Sequence, residues 1–140
     1  MSIVAKSSPY IMGIDLGTSN SAIAVFSKGT ANILPIDGDK ACPSVLTVRP
    51  NGELVVGRQA RARMMIDPDN TIASIKRHMG NSWTKEFSAL PGKTYTPQDI
   101  SAEILNKLVA GAQDCGLLDL RGTPRYAVIC IPANFNDAQK

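Results

Sequence analysis

At 140 residues the chain has the length of one ordinary domain, and a compact chain of that size buries roughly 68% of its unfolded surface, enough for a single core. With 44% hydrophobic and 19% charged residues it is globular rather than disordered. The net charge is +3, and the 15 basic residues are scattered singly or in pairs such as Lys76-Arg77, which leaves no basic stripe for a nucleic-acid backbone.

Residues 1–9 read as a loose polar leader without a sustained apolar stretch, and no run approaches the roughly 18 apolar residues of a membrane span. From Tyr10 the pattern turns β-like: "YIMGIDL", "SAIAVFS" and "ANILPI", separated by Gly17-Thr18-Ser19-Asn20 and by Lys28-Gly29-Thr30. The near-continuous apolar character of the first two runs predicts strands buried on both faces. "PSVLTVRPNGELVVG" predicts a further hairpin turning at Pro50-Asn51-Gly52, so that residues up to Gly57 are mostly antiparallel sheet.

Good helix formers in "RQARARMMID" predict a helix that stops at Asp67-Pro68. "NTIASIKRHMG" predicts a second short helix, capped by Asn70 or Thr71 and stopped at Gly80. Residues 81–95 show little periodicity and read as loop. The clearest helix is "TPQDISAEILNKLVAGAQDCG": Thr96 caps it, Pro97 opens it, and Ile100, Ile104, Leu105, Leu108, Val109 and Ala112 repeat at helical spacing up to Gly116. "YAVICIP" reads as one more buried strand. "NFNDAQK" opens a helix that stops before it can bury a face, which predicts a truncated piece of a protein continuing beyond Lys140.

Asp15, between Ile14 and Leu16, is the first residue that invites a chemical reading. A tight turn between strands turns several backbone N–H groups to one side, and Thr and Ser hydroxyls add donors, so residues 17–20 can hold phosphate oxygens without a lysine in the loop. Asp15 would then orient a hydrated divalent cation, since Mg2+ keeps several waters and takes few carboxylates directly. An ordinary hairpin, with Asp15 hydrogen-bonded to the turn, is the competing reading, and both stay open here.

Other tempting features read more plainly. "PGKTY" is not a P-loop, because Phe87 stands where the required glycine would be, and Lys93 and Thr94 read as turn or strand-edge residues. No GxGxxG spacing supports a dinucleotide fold. Lys76 alone reads as a solvated side chain near a helix C-terminus. His78, the only histidine, reads as a surface residue and leaves little material for a histidine-dependent catalytic triad. Met64 and Met65 read as core. Trp83 is undecided between covering an edge and standing exposed. Cys42, Cys115 and Cys130 lack metal-ligand spacing and cannot all pair, so a reducing cytoplasmic setting fits best.

Taken together, "GIDLGTSNSAIAV", "ACPSVL", "VGRQA", "NTIASIKRHMG", "YTPQDISAEIL" and "VICIPANFNDAQK" resemble the start of the ATPase domain of the heat-shock-70 (DnaK-type) chaperone family. The resemblance runs in family order over nearly the whole chain from Tyr10. "IKRHMG" and "PANFNDAQ" are its most specific parts, whereas the opening stretch is shared by actin-like ATPases generally. It implies an α/β, actin-like (ribonuclease-H-like) ATPase fold in which residues 10–140 are the N-terminal part of the nucleotide-binding domain: one partial lobe, a mixed sheet with packed helices. The rest of the ATPase domain and a peptide-binding domain would follow.

By the same resemblance, Asp15 helps position Mg2+ and water around the phosphates, and Gly17, Thr18, Ser19 and Asn20 form the first phosphate loop. Lys76 reaches the phosphates and is required for hydrolysis, while Pro132 and Lys140 belong to an interdomain relay. The implied cofactors are ATP or ADP and Mg2+, with K+ as a candidate monovalent ion. The implied partners are unfolded or extended polypeptides held by the later domain, a J-domain co-chaperone and a nucleotide exchange factor, with no nucleic acid and no membrane. The sequence departs from the family pattern with Ser19 for Thr, Asn134 for Tyr and Lys140 for Arg, the last exchanging a forked planar donor for a point charge. A sugar-kinase-like phosphotransferase and an actin-like bacterial filament subunit share the opening hairpin and are the alternatives. The 140 residues by themselves are expected to bind ATP weakly and to hydrolyse it poorly, because closure of two lobes supplies most contacts and excludes water.

Overall fold

A computed structural model describes residues 11–27, 29–114 and 127–130. The described residues begin with a meander of three strands, β1 (Ile11–Leu16), β2 (Asn20–Ser27) and β3 (Thr30–Leu34), with the breaks between them at the expected spacers. β1 and β2 pair antiparallel so that Met12 stands opposite Val25, Ile14 opposite Ile23 and Leu16 opposite Ser21. Side chains alternate along a strand, so Met12, Ile14, Leu16, Ile23 and Val25 all enter the core from one face.

The expectation of burial on both faces is corrected here. The opposite face carries Gly13, Asp15, Ala22, Ala24 and Phe26, which are half-buried or exposed. Small residues made this alternation look like a continuous apolar run.

β10 (Ala127–Cys130) lies parallel to β1 on its other side, with Asp15 in register with Cys130, so the sheet order is β10-β1-β2-β3 and the sheet is mixed. Strand β4 (Cys42–Pro43) pairs with the first two residues of β2, beside the turn that follows β1. One residue later the chain enters a second sheet of order β6-β5-β7, formed by β5 (Val45–Val48), β6 (Leu54–Val56) and β7 (Thr71–Ala73). Ser44 is therefore the joint between the sheets.

Helix α1 (Arg58–Ala62) is shorter than its sequence suggests. Met64 and Met65 do not reach the core: Met65 is 94% exposed and the following Ile66 73%. The chain here leaves the helix in a succession of turns that an Arg63–Asp67 ion pair closes over, and among the described residues Met65 and Ile66 stay largely uncovered while Met64 is 39% exposed.

"NTIASIKRHMG" is likewise corrected from helix to strand plus 3-10 turn. Asn70 ends a one-turn 3-10 helix (Pro68–Asn70), its amide held by Asp67 while its oxygen accepts from Ser88 and the N–H of Ala89. Thr71 and Ile72 are β-branched and join β5 as strand β7, with the Thr71 and Thr47 hydroxyls 2.8 Å apart. Ser74, at φ 56°, breaks the strand in the left-handed region, which costs a non-glycine residue about 1–2 kcal/mol. A second 3-10 turn, Ile75–His78, follows.

Residues expected to be loop contain a two-residue hairpin, β8 (Lys85–Glu86) with β9 (Thr94–Tyr95), and fully buried Phe87 meets Tyr95 edge-on at 5.4 Å. Lys93 and Thr94 are turn and strand-edge residues, as expected.

Helix α2 (Pro97–Asp114) matches its periodicity closely. The Thr96 hydroxyl accepts from the Asp99 N–H while the Asp99 carboxylate accepts from the Thr96 N–H, a reciprocal cap. Ile100, Ile104, Leu108 and Ala112 are fully buried against both sheets, and Leu105 and Val109 pack at the margin. Because Ile104 sits at the centre of the core, Ile104→Ala is expected to lower unfolding free energy by about 2–5 kcal/mol in denaturant titration.

Candidate functional site

The turn joining β1 to β2 is built on a close approach. A Cβ added to Gly17 would stand 2.1 Å from the Asn20 carbonyl oxygen, nearer than atoms can come, so no larger residue fits without opening the turn. Thr18 is half-buried and Ser19 and Asn20 are exposed, which leaves a polar, accessible tip. The run Gly17–Asn20, which carries no large apolar side chain, thus has a physical basis.

Ser44, 2% exposed, pins this tip from behind. Its N–H donates to the Ser19 carbonyl at 2.9 Å and its hydroxyl to the Gly17 carbonyl at 2.9 Å. The Ser21 and Ser44 hydroxyl oxygens are 2.7 Å apart. A serine hydroxyl carries one proton, and that of Ser44 goes to Gly17, so Ser21 is the donor to Ser44. Neither serine stood out in the sequence; the one available signal was two hydroxyl residues, Ser44 and Thr47, inside a run that is otherwise apolar from Cys42 to Val48.

Lys76 arrives at the same place from sixty residues downstream. Ile75, 2% exposed, anchors the 3-10 turn in the core, and the half-buried Lys76 ammonium donates to the carbonyl of Leu16, the residue before Gly17. Its reading as a solvated helix-end side chain is therefore corrected. Asp15 is exposed on the face of β1 away from the core, with only the small Ala22 beside it in β2. Hence the carboxylate is not buried in an apolar strand; it is open to water.

The remaining candidates separate from this cluster. His78 is half-buried and stacks on Trp83, ring centroids 4.5 Å apart and 17° from parallel, so it is not a free surface residue, and Trp83 is partly buried against the core rather than standing exposed. Lys93 lies over the Tyr95 ring at 5.0 Å. Burial pushes the Cys42 thiol up from its ordinary value, with Lys107 partly offsetting this, so the thiol stays protonated at neutral pH and is no nucleophile. Pro132, Asn134 and Lys140 lie outside the described residues, as does the polar leader 1–9.

A phosphate group with Mg2+ fits this donor set. The turn offers backbone N–H groups and hydroxyls, Lys76 offers a cation, and no group of three or more His, Cys, Asp or Glu side chains converges among the described residues to form a protein cage for a metal. One accessible carboxylate suits an ion that keeps its waters.

A family model described as "Hsp70 protein" matches residues 11–89 and 86–140. The proteins named "Chaperone protein DnaK" of Thermotoga petrophila, Thermotoga neapolitana and Thermotoga maritima are each 42% identical over 139 residues, covering 98% of this chain. The chain spans 22% of the length of those relatives. Among the described residues no helix is long and apolar enough to cross a membrane.

Proposed function

The chain belongs to the Hsp70 family, and on that premise we propose that it supplies the first phosphate-holding half of the nucleotide site in an ATP-driven chaperone. Its mixed sheet with a packed helix is part of the actin-like ATPase fold of that family. The observation that carries the proposal is the meeting of Lys76 with the end of β1, beside a turn that only glycine can make.

Residues 17–20 hold phosphate oxygens by backbone N–H groups and by the Thr18 and Ser19 hydroxyls. Lys76 places a fixed positive charge where negative charge develops on phosphoryl transfer to water, and it need not reorganise during the reaction. Asp15 orients the water shell of Mg2+, which neutralises phosphate charge when bound. Closure of the rest of the domain excludes water and completes the contacts. Pro132 and Lys140 transmit nucleotide state to a later domain that holds extended polypeptides, with a J-domain co-chaperone and a nucleotide exchange factor driving the cycle in the cytoplasm.

Steady-state assays of the full-length protein test this reading. ATP hydrolysis stimulated by an extended apolar peptide is the expected result. Sugar-dependent ADP release would make it a kinase instead, and nucleotide-dependent sedimentation a filament subunit.

A further inference from the structure

We propose that Ser44 is the positioning residue that sets the phosphate turn, a role resting on the phosphate reading of residues 17–20. In a trans peptide the C=O and N–H of one unit point in opposite directions, and every peptide among the described residues is trans. Ser44 draws two turn carbonyls toward itself, that of Gly17 with its hydroxyl and that of Ser19 with its N–H. The N–H groups of the same two peptide units, those of Thr18 and Asn20, therefore point away from Ser44.

One buried serine thus fixes the direction of two donors it never touches. Its own position is fixed from both sides, since Pro43 pairs with Asn20 in the first sheet and Val45 pairs with Ala73 in the second. The Ser21 hydroxyl, 1% exposed, completes a one-way chain of protons: Ser21 donates to Ser44, and Ser44 to the Gly17 carbonyl. Buried hydroxyls with every proton assigned rigidify what they hold. Without the Ser44 hydroxyl, the Gly17–Thr18 peptide loses its only side-chain restraint among the described contacts and can rotate, taking the Thr18 N–H with it.

The measurement is the ratio of Mg-ADP to adenosine affinity in the full-length protein, by calorimetry. Adenosine carries no phosphate, so a loss confined to ADP reports the turn rather than general damage. Ser44→Ala is expected to lower ADP affinity by about tenfold while leaving adenosine affinity within about twofold. Ser44→Cys keeps the volume, supplies only a weak S–H donor and is expected to show the same selective loss, which covers the case in which alanine prevents folding. Ser21→Ala keeps the Ser44-to-Gly17 bond and is expected to lose less than about threefold. An unchanged ratio in Ser44→Cys, or an equal loss in Ser21→Ala, would overturn the positioning role. A wild-type protein that binds ADP no better than adenosine would overturn the phosphate reading itself.

Discussion

Replacing Lys76 with alanine is expected to lower kcat for ATP hydrolysis by about 100- to 1,000-fold while changing Mg-ADP affinity only a few-fold. The asymmetry follows from the role proposed for the side chain. By the proposed reading, a positive charge held against the Leu16 carbonyl, beside the turn, favours the redistribution of charge toward the leaving oxygen that accompanies phosphoryl transfer, and so acts mainly on the transition state. By the same reading, ground-state binding is shared among the turn's backbone donors and the rest of the domain. Single-turnover hydrolysis and calorimetry on one preparation read the two quantities separately. The variant also loses a charged hydrogen bond, so a modest fall in melting temperature accompanies the loss of rate. If stability falls and kcat does not, Lys76 is a structural tie between the 3-10 turn and β1 and nothing more.

Gly17→Ala is the second large effect. The added methyl group meets the backbone oxygen of Asn20, which cannot move aside as a side chain can, so the turn must open. A stability loss of about 1–3 kcal/mol is expected, with ADP affinity reduced by at least about tenfold. Gly13→Ala is the control: its new methyl would meet the ring of Phe26 at 2.8 Å, but that ring is 45% exposed and free to swing outward. The two glycines lie four residues apart, and the substitution is chemically identical. A Gly13 variant as damaged as the Gly17 variant would mean that the sheet, rather than the turn, resents the methyl group.

Much of the fold could be read from local pattern where local pattern decides it. Helix α2 shows this best: Thr96, Asp99 and Pro97 mark its start, and one apolar stripe records the face it buries. The hairpins around residues 17–19 and 50–52 were equally legible, because turn chemistry resides in the turn residues themselves. What failed was decided by partners distant in the chain. Thr71 and Ile72 could have been helical, and they became a strand because β5 offers them an edge. Met64 and Met65 had the composition of core and no core to enter.

The site divides the same way. Asp15 and the 17–20 turn announced themselves as polar residues in an apolar context. Lys76 had no local signal at all: its place at the end of β1 depends on Ser74 turning in the left-handed region and on Ile75 docking in the core. Only the resemblance of "IKRHMG" to a family motif singled it out beforehand. Ser44 does not stand out within "ACPSVL", since a buried serine shows its role only when its hydrogen-bond partners are known.

The most direct test of a phosphate-holding half-site is a structure of the full-length protein bound to Mg-ADP. The expected result has phosphate oxygens about 3 Å from the N–H groups of Thr18 and Asn20, with Asp15 reaching Mg2+ through water. ADP bound with its phosphates elsewhere, and the 17–20 turn facing solvent, would contradict it.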